Sequence, residues 1–384
     1  MRKIRVAFFA DMLIENFDGA ARTIYQIIQR IDRSRFEYFF ITGSAPGPDF
    51  QYKYYLVPSI DIPKNEDYKM AIPALAFFEM NNAMLIFKPD VIHISSPSFL
   101  GRYALDYGRN NQIPVITIYH THFISYIDYY FKDAKFLIDA VKAFVISRNK
   151  SFYNGCNLVL VPSQSLMDEL VGYDFDDSKM KLWPRGMNVS LFSPEKKNNN
   201  LKIDYGLDRP IVLFASRLVW EKNLTTLVSI YEKNEGLGRP YLFVVAGDGV
   251  AREELQQLMP NALFLGKLDH EALSIWYASA DVFLFTSETE TYGNVVVEAM
   301  ASGLPVVVAN AGGPNDLVDQ YVTGIKCDPR DADAFYAGIN LYMTDKQLRS
   351  TIVKNALQYA RRLYWDQLTA SYFEMVAGMQ SQKT

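Results

Sequence analysis

Residues 282–298 read Val282-Phe283-Leu284-Phe285-Thr286-Ser287-Glu288-Thr289-Glu290-Thr291-Tyr292-Gly293-Asn294-Val295-Val296-Val297-Glu298. The apolar run Val282–Phe285 is short and uniform, the mark of a strand buried on both faces of a parallel sheet. A polar loop follows, Gly293-Asn294 breaks it, and Val295–Ala301 resumes with helical spacing. Strand, loop and helix in that order make one βα unit.

Working outward, the pattern repeats. Val306–Ala309 comes next, followed by Ala311-Gly312-Gly313-Pro314, while Ile211–Ala215, Tyr241–Ala246 and Ala262–Leu265 precede it. Helical runs around Leu224–Glu232, Arg252–Leu258 and Glu271–Ala278 lie between these strands. The first half behaves alike, with strands Arg5–Ala10, Phe36–Ile41, Val91–Ile94, Val115–Tyr119 and Leu158–Val161 and a helix over Ala20–Ile31. The expected fold is α/β, two Rossmann-like doubly wound domains. Ser193–Asn200 is polar and aperiodic, so it reads as the linker, giving domains 1–195 and 196–364. The helical pattern of 365–384 packs either on its own domain or back on the first.

The 384 residues are 49% hydrophobic and 21% charged, with 21 Gly and 17 Pro, which excludes collagen, long coiled coil and general disorder. Two cysteines, Cys156 and Cys327, provide no disulfide framework and no cysteine-rich zinc site. The apolar run Val6–Ala10 stops at Asp11, too early for a secretory signal, and no uncharged apolar stretch reaches about 18 residues. The expected location is the cytoplasm. The net charge of −4 divides into a slightly basic 1–200 and an acidic remainder. Without a dense Lys/Arg run, no nucleic-acid partner is expected.

Ligands of open parallel sheets sit beyond the carboxyl ends of the strands. Ser216-Arg217-Leu218-Val219-Trp220-Glu221-Lys222-Asn223 follows one such strand, and its two cations either converge on a diphosphate or form a solvated turn paired through Glu221. Glu290 in the loop and Glu298 inside the next helix are carboxylates suited to polyol hydroxyls, beside a helix start that favours anions. Gly247-Asp248-Gly249 is only GxG, which gives a dehydrogenase little support. Gly19 precedes the first helix; His120-Thr121-His122 ends a strand, where the histidines either contact substrate or pack. A zinc site would need further ligands. Asp174-Phe175-Asp176-Asp177 follows a helix and reads as a solvated surface loop.

Five motifs in one order, Ser216-Arg217-x4-Lys222, Gly266-Lys267-Leu268, Glu290-x7-Glu298, Glu298-Ala299-Met300-Ala301-Ser302-Gly303-Leu304-Pro305-Val306 and Gly312-Gly313-Pro314, resemble retaining glycosyltransferases of family 4, with the GT-B fold. The resemblance covers essentially the whole chain and is strongest over 211–320. It implies two domains facing a central cleft, with the helix after Trp365 returning to the N-terminal one. It implies a hexosyltransferase in which Arg217 and Lys222 hold the donor diphosphate, Glu298 the ribose and Glu290 the transferred sugar. Tyr292, Gly293, Asn294 and Val295 would line the sugar and phosphate pocket, and Gly266, Lys267 and Leu268 would meet the nucleobase. Gly19 matches a glycine facing the phosphates, although the doubled glycine of many members is Gly19-Ala20 here. His120 matches a histidine near the donor sugar, so His120, Glu290, Arg217 and Lys222 form the implied catalytic set. No metal or other cofactor is implied; the nucleotide diphosphate sugar is a substrate.

Arg185-Gly186-Met187-Asn188-x3-Phe192, together with Tyr119–His122, is similar to the glycolipid-forming branches that transfer glucose, galactose, mannose or sulfoquinovose, and points to a lipid or glycan acceptor touched by His122 and Arg185. Residues 123–153 interleave aromatics with Lys132, Lys135, Lys142, Arg148 and Lys150, as an interfacial helix on the anionic inner face of a cell membrane would, or a core helix with snorkelling lysines. The competing classes are a nucleotide-sugar epimerase of the same architecture, a non-catalytic sugar-nucleotide binder and a transferase acting on a soluble glycan or small molecule.

Overall fold

A computed structural model describes residues 2–15, 17–62, 65–120, 135–188, 190–290 and 292–381. The chain forms two compact units, 1–184 with 366–384, and 185–365.

In the first unit the strands are β1 (Ile4–Ala10), β2 (Phe36–Thr42), β3 (Lys53–Leu56), β4 (Ser59–Ile62), β5 (Asn65–Ala71), β6 (Val91–Ile94), β7 (Val115–Ile118), β8 (Leu158–Val161) and β9 (Met180–Leu182). Seven form a parallel sheet in the order β3-β2-β1-β6-β7-β8-β9, and β4 and β5 form a separate antiparallel pair. Helices α1 (Gly19–Gln29), α2 (Phe77–Phe87), α3 (Phe99–Asn110), α4 (Lys135–Tyr153) and α5 (Gln164–Gly172) connect them. Helix starts follow side-chain chemistry: Asp18 accepts the Ala21 N–H at 2.7 Å, and Ser98 accepts that of Gly101 at 3.1 Å. Strands β6 and β7 are buried along their whole length, as expected with both faces covered.

The second unit has β10 (Ile211–Ala215), β11 (Leu242–Ala246), β12 (Leu263–Gly266), β13 (Val282–Phe285), β14 (Val306–Ala309) and β15 (Ile325–Cys327). They form a six-stranded parallel sheet ordered β12-β11-β10-β13-β14-β15. The order reverses between β10 and β13, so the loops leaving these two strands border the crevice where ligands bind.

The expected linker is displaced. The chain changes unit at Pro184/Arg185, not near 195. Met187 and Phe192 belong to the second unit's core, the Met187 N–H donates to the Leu363 carbonyl at 2.8 Å, and the Asn198 N–H donates to Ser279 Oγ at 3.0 Å. The polar run Ser193–Asn200 is thus fastened to the second unit by a hydrogen bond from Asn198 that its composition does not reveal.

Helix Trp365–Ser381 packs on the first unit from Asp366 onward. Tyr372 is buried with its hydroxyl 2.7 Å from His93 Nδ1, and His93 lies stacked on Phe8 at 4.1 Å between centroids. The indole N–H of Trp183 donates to the Leu368 carbonyl at 3.0 Å, and Arg30 pairs with Asp366 at 2.6 Å. No helix among the described residues is long and apolar enough to cross a membrane.

Burial holds the His93 pKa well below its usual 6.5, with His120 opposing the charge further. Below that value the unfolded chain takes up a proton that the folded chain excludes, so stability falls as pH drops through about 6.5. Replacing Tyr372 by Phe strands a buried imidazole nitrogen and should cost about 1–3 kcal/mol, read as a lower urea midpoint at pH 7.5. Replacing His93 by Gln should flatten the acid limb of the midpoint-against-pH curve. An unchanged limb would show that His93 is not the group responsible.

Candidate active site

Two loops meet at the β10/β13 reversal. Ser216–Asn223 leaves β10 and Thr286–Gly293 leaves β13, and side chains bind them together. Thr289 Oγ1 donates to the Glu221 carbonyl at 3.2 Å, and Thr286 Oγ1 to that of Asn223 at 3.1 Å. Asn223, with φ +53°, donates from Nδ2 to the Thr286 and Pro329 carbonyls at 3.1 and 2.8 Å. Asparagine tolerates this left-handed conformation better than most residues, and here its amide also ties down both neighbours.

The laced loops bring Lys222 and Glu290 together. The Nζ lies 2.8 Å from Glu290 Oε1, with the lysine side chain 4% exposed and the carboxylate 27% exposed. A buried ammonium needs a charged partner, and a partly open carboxylate leaves it reachable by another anion. Arg217 behaves differently. Its side chain is 65% exposed and reaches Glu221 at 3.4 Å, the pairing foreseen for a solvated turn. Sequence spacing treated the two cations alike; the structure sets one inside and one outside.

Beyond Glu290, Gly293 takes φ +91° and caps the helix Asn294–Ala301. The first-turn N–H groups of such a helix lack partners within it and favour an anion. The loop is buttressed by Gly313, whose N–H donates to the Glu290 carbonyl at 2.7 Å. A β-carbon at 313 would stand 2.4 Å from Tyr292 Cα, so only glycine allows this approach. Asn294 and Val295 are half-buried. The Tyr292 side chain is buried, and its hydroxyl donates to the Arg185 carbonyl at 3.2 Å. The ring supports the loop from beneath because it is too large and apolar to leave the core. Arg185, which the resemblance sets against the acceptor, is half-buried and belongs to the second unit.

Glu298, half-buried, accepts from the Tyr277 hydroxyl at 3.3 Å; burial first, and Glu298 second, push the Tyr277 pKa up. Gly266 ends β12, and its carbonyl accepts the Gly247 N–H at 2.8 Å; Lys267 is exposed and Leu268 half-buried. In the first unit Gly19 opens α1 and His120 is buried just beyond β7. His122 lies outside the described residues. Asp174 and Asp176 pair with Lys150 and Lys179, at 3.1 and 3.6 Å. Among the described residues no group of three or more His, Cys, Asp and Glu is placed to hold a metal.

Asn223, Tyr277 and Thr286 escaped sequence reasoning because their partners are distant in sequence. Asp11, which stops the first strand, was noticed only as a charge. It is buried, accepts from Ser96 Oγ at 3.0 Å, and has its pKa raised chiefly by burial.

Residues 196–359 match the family model of glycosyl transferases group 1, and residues 17–191 that of Glycosyltransferase Family 4. A GDP-mannose-dependent alpha-mannosyltransferase of Mycobacterium tuberculosis is 31% identical over 84% of this chain and 83% of its own. The sulfoquinovosyl transferase SQD2 of Arabidopsis thaliana is 32% identical over 73% of this chain and 54% of its own. The crystal structure of Anabaena HepE in complex with UDP superposes with a TM-score of 0.75 at 19% identity, covering 98% of this chain and all of that one. The βα order, the laced loops and these matches converge: the chain belongs to glycosyltransferase family 4, has the GT-B fold and is a hexosyltransferase that draws on a nucleotide sugar.

Proposed function

We propose that the protein is a retaining transferase that moves a hexose from a nucleoside diphosphate sugar to a hydroxyl of a lipid or lipid-linked glycan, forming an α-linkage on the inner face of the membrane. The observation that carries the reading is the Lys222–Glu290 pair beside the helix start at Gly293. Cleavage of the anomeric C–O bond leaves a diphosphate with added negative charge, and a preorganised ammonium and helix N-terminus stabilise that charge. Lys222 holds the diphosphate, and the exposed Arg217 swings onto it from solvent. Glu290 then receives the sugar hydroxyls, and Glu298 the ribose. The acceptor attacks the face that the leaving group departs, its proton passing to the departing phosphate oxygen, so no protein nucleophile is required. A lipid acceptor is supported by the relatives, which include an alpha-monoglucosyldiacylglycerol synthase of Streptococcus pneumoniae, 24% identical over 84% of this chain.

Incubation with GDP- and UDP-sugars tests the reaction class. Release of nucleoside diphosphate should require a detergent-solubilised lipid acceptor; sugar interconversion without acceptor would indicate an epimerase instead. Replacing Lys222 by Ala should lower kcat by about 10²–10³, or about 2.7–4 kcal/mol. Near-normal turnover would reduce the lysine to a structural ion pair.

Titration of nucleoside diphosphate separates the glutamates. Replacing Glu298 by Ala should weaken binding, while Glu290→Gln should leave it intact or tighter, by releasing Lys222, and lower kcat. Equal weakening in both variants would refute the assignment. Activity should also survive EDTA. Loss on chelation with recovery in magnesium or manganese would contradict a metal-free diphosphate site.

A further inference from the structure

The strand order of the first sheet also reverses, between β1 and β6, so this unit has its own ligand crevice at the carboxyl ends of those two strands. Asp11 stands there, immediately after β1, and is 2% exposed. It ties three other segments to the end of β1. Its Oδ1 accepts the Ala71 N–H at the end of β5 at 3.3 Å, and its Oδ2 accepts the Ser96 hydroxyl beyond β6 at 3.0 Å. Its carbonyl accepts the Gly43 N–H beyond β2 at 3.1 Å. The loop after β1 meets β5 twice more: the Lys69 N–H donates to Met12 Sδ at 3.3 Å, and Phe17 packs on Tyr68 with centroids 6.0 Å apart. A buried carboxylate costs free energy unless donors surround it, and the transfer chemistry above makes no use of this one.

Ser96 is held as firmly. The Ser95 N–H donates to the Phe9 carbonyl of β1 at 2.9 Å, and α3 approaches the loop so closely that a β-carbon at Gly101 would stand 2.0 Å from the Ser96 carbonyl oxygen. Unlike Asp11, Ser96 is half-buried, so the contact between them runs from the interior towards the surface. A hydroxyl has one proton to donate and two lone pairs. With its proton committed to Asp11, Ser96 Oγ has only lone pairs left for a ligand. Such an atom takes a donor. Among the groups of a lipid headgroup a hydroxyl supplies that proton, whereas a phosphodiester, ester or ether oxygen does not.

We propose that Ser96, oriented by Asp11, binds a second, non-reacting hydroxyl of the acceptor, so that the acceptor is a lipid with a polyol or sugar headgroup and not a diacylglycerol. The reacting hydroxyl does not fill this place, because its single proton passes to the departing phosphate oxygen, and a diacylglycerol has no other hydroxyl. Ser96 is the group that touches substrate, and Asp11 is a positioning residue that acts through it. A site built to bond a substrate hydroxyl discriminates strongly against an analogue that lacks it. The inference rests on the reading of the protein as a transferase acting on lipid.

Transfer kinetics on octyl glucoside, dioctanoyl phosphatidylinositol and dioctanoylglycerol, each with GDP- and UDP-sugars, test the proposal. The wild type should show a higher kcat/KM with at least one of the two polyol-headed lipids than with dioctanoylglycerol. Ser96→Ala should raise the KM for that lipid about tenfold without raising the KM for the nucleotide sugar. Ser96→Thr keeps the hydroxyl and should stay within about threefold of the wild type. Asp11→Asn, whose amide can donate to Ser96 and turn its proton outward, should also raise the lipid KM, yet add nothing in the Ser96→Ala background. Circular dichroism and nucleoside diphosphate binding, as in the wild type, establish that each variant is folded; should Asp11→Asn fail this check, the two Ser96 variants decide. A wild type that prefers dioctanoylglycerol overturns the proposal and leaves the lipid-transferase reading standing. So does a Ser96→Ala variant with the wild-type lipid KM, or one in which the nucleotide-sugar KM rises instead. Transfer to none of the three lipids removes the lipid-acceptor reading, and the proposal with it.

Discussion

The ion pair between Lys222 and Glu290 is the constraint around which the second unit's ligand loops are arranged. An ammonium that is 4% exposed is tolerable only while a carboxylate stands against it. Removing one member of a buried pair typically costs about 3–5 kcal/mol. The pair can form only because the β10 and β13 loops are bound to each other through Thr286, Thr289 and Asn223. Gly313 packs against the backbone of Tyr292 from the next βα loop, and Tyr292 fills the space beneath. The parallel sheet thus supplies position, the threonines and glycines supply rigidity, and the charges are delivered to the crevice where the strand order reverses.

How much of this could be read in advance depended on the range of the interaction. Val282–Phe285 and Val306–Ala309 are continuous apolar runs, and both are strands with the bounds their sequence suggests. Short edge elements were invisible. Lys53–Leu56 is largely exposed, and Ile325–Lys326–Cys327 is too brief to show a period. The segment Ser193–Asn200 looked like a linker because polarity is a local property, whereas the hydrogen bond from Asn198 to Ser279 is not. The same limit applies at the site. Motif spacing located Arg217, Lys222, Glu290 and Glu298, but the inside and outside placement of the two cations and the inward turn of Tyr292 depend on packing between loops far apart in sequence.

The two units spend their apolar residues differently. In the second, β10, β11, β13 and β14 are buried end to end, and the sheet is wrapped on both faces. In the first, the C-terminal helix covers part of the core through Tyr372, Leu368 and Phe373, while α2 leaves large apolar side chains in solvent.

The most direct test of the account is a double-mutant cycle in kcat/KM on Lys222→Ala, Glu290→Gln and the combined variant, at saturating acceptor. If the two side chains act as one arrangement on the donor, their losses overlap, and the combined variant is about as impaired as Lys222→Ala alone. Losses that multiply would mean that lysine and glutamate act independently, and that their 2.8 Å contact is incidental to transfer.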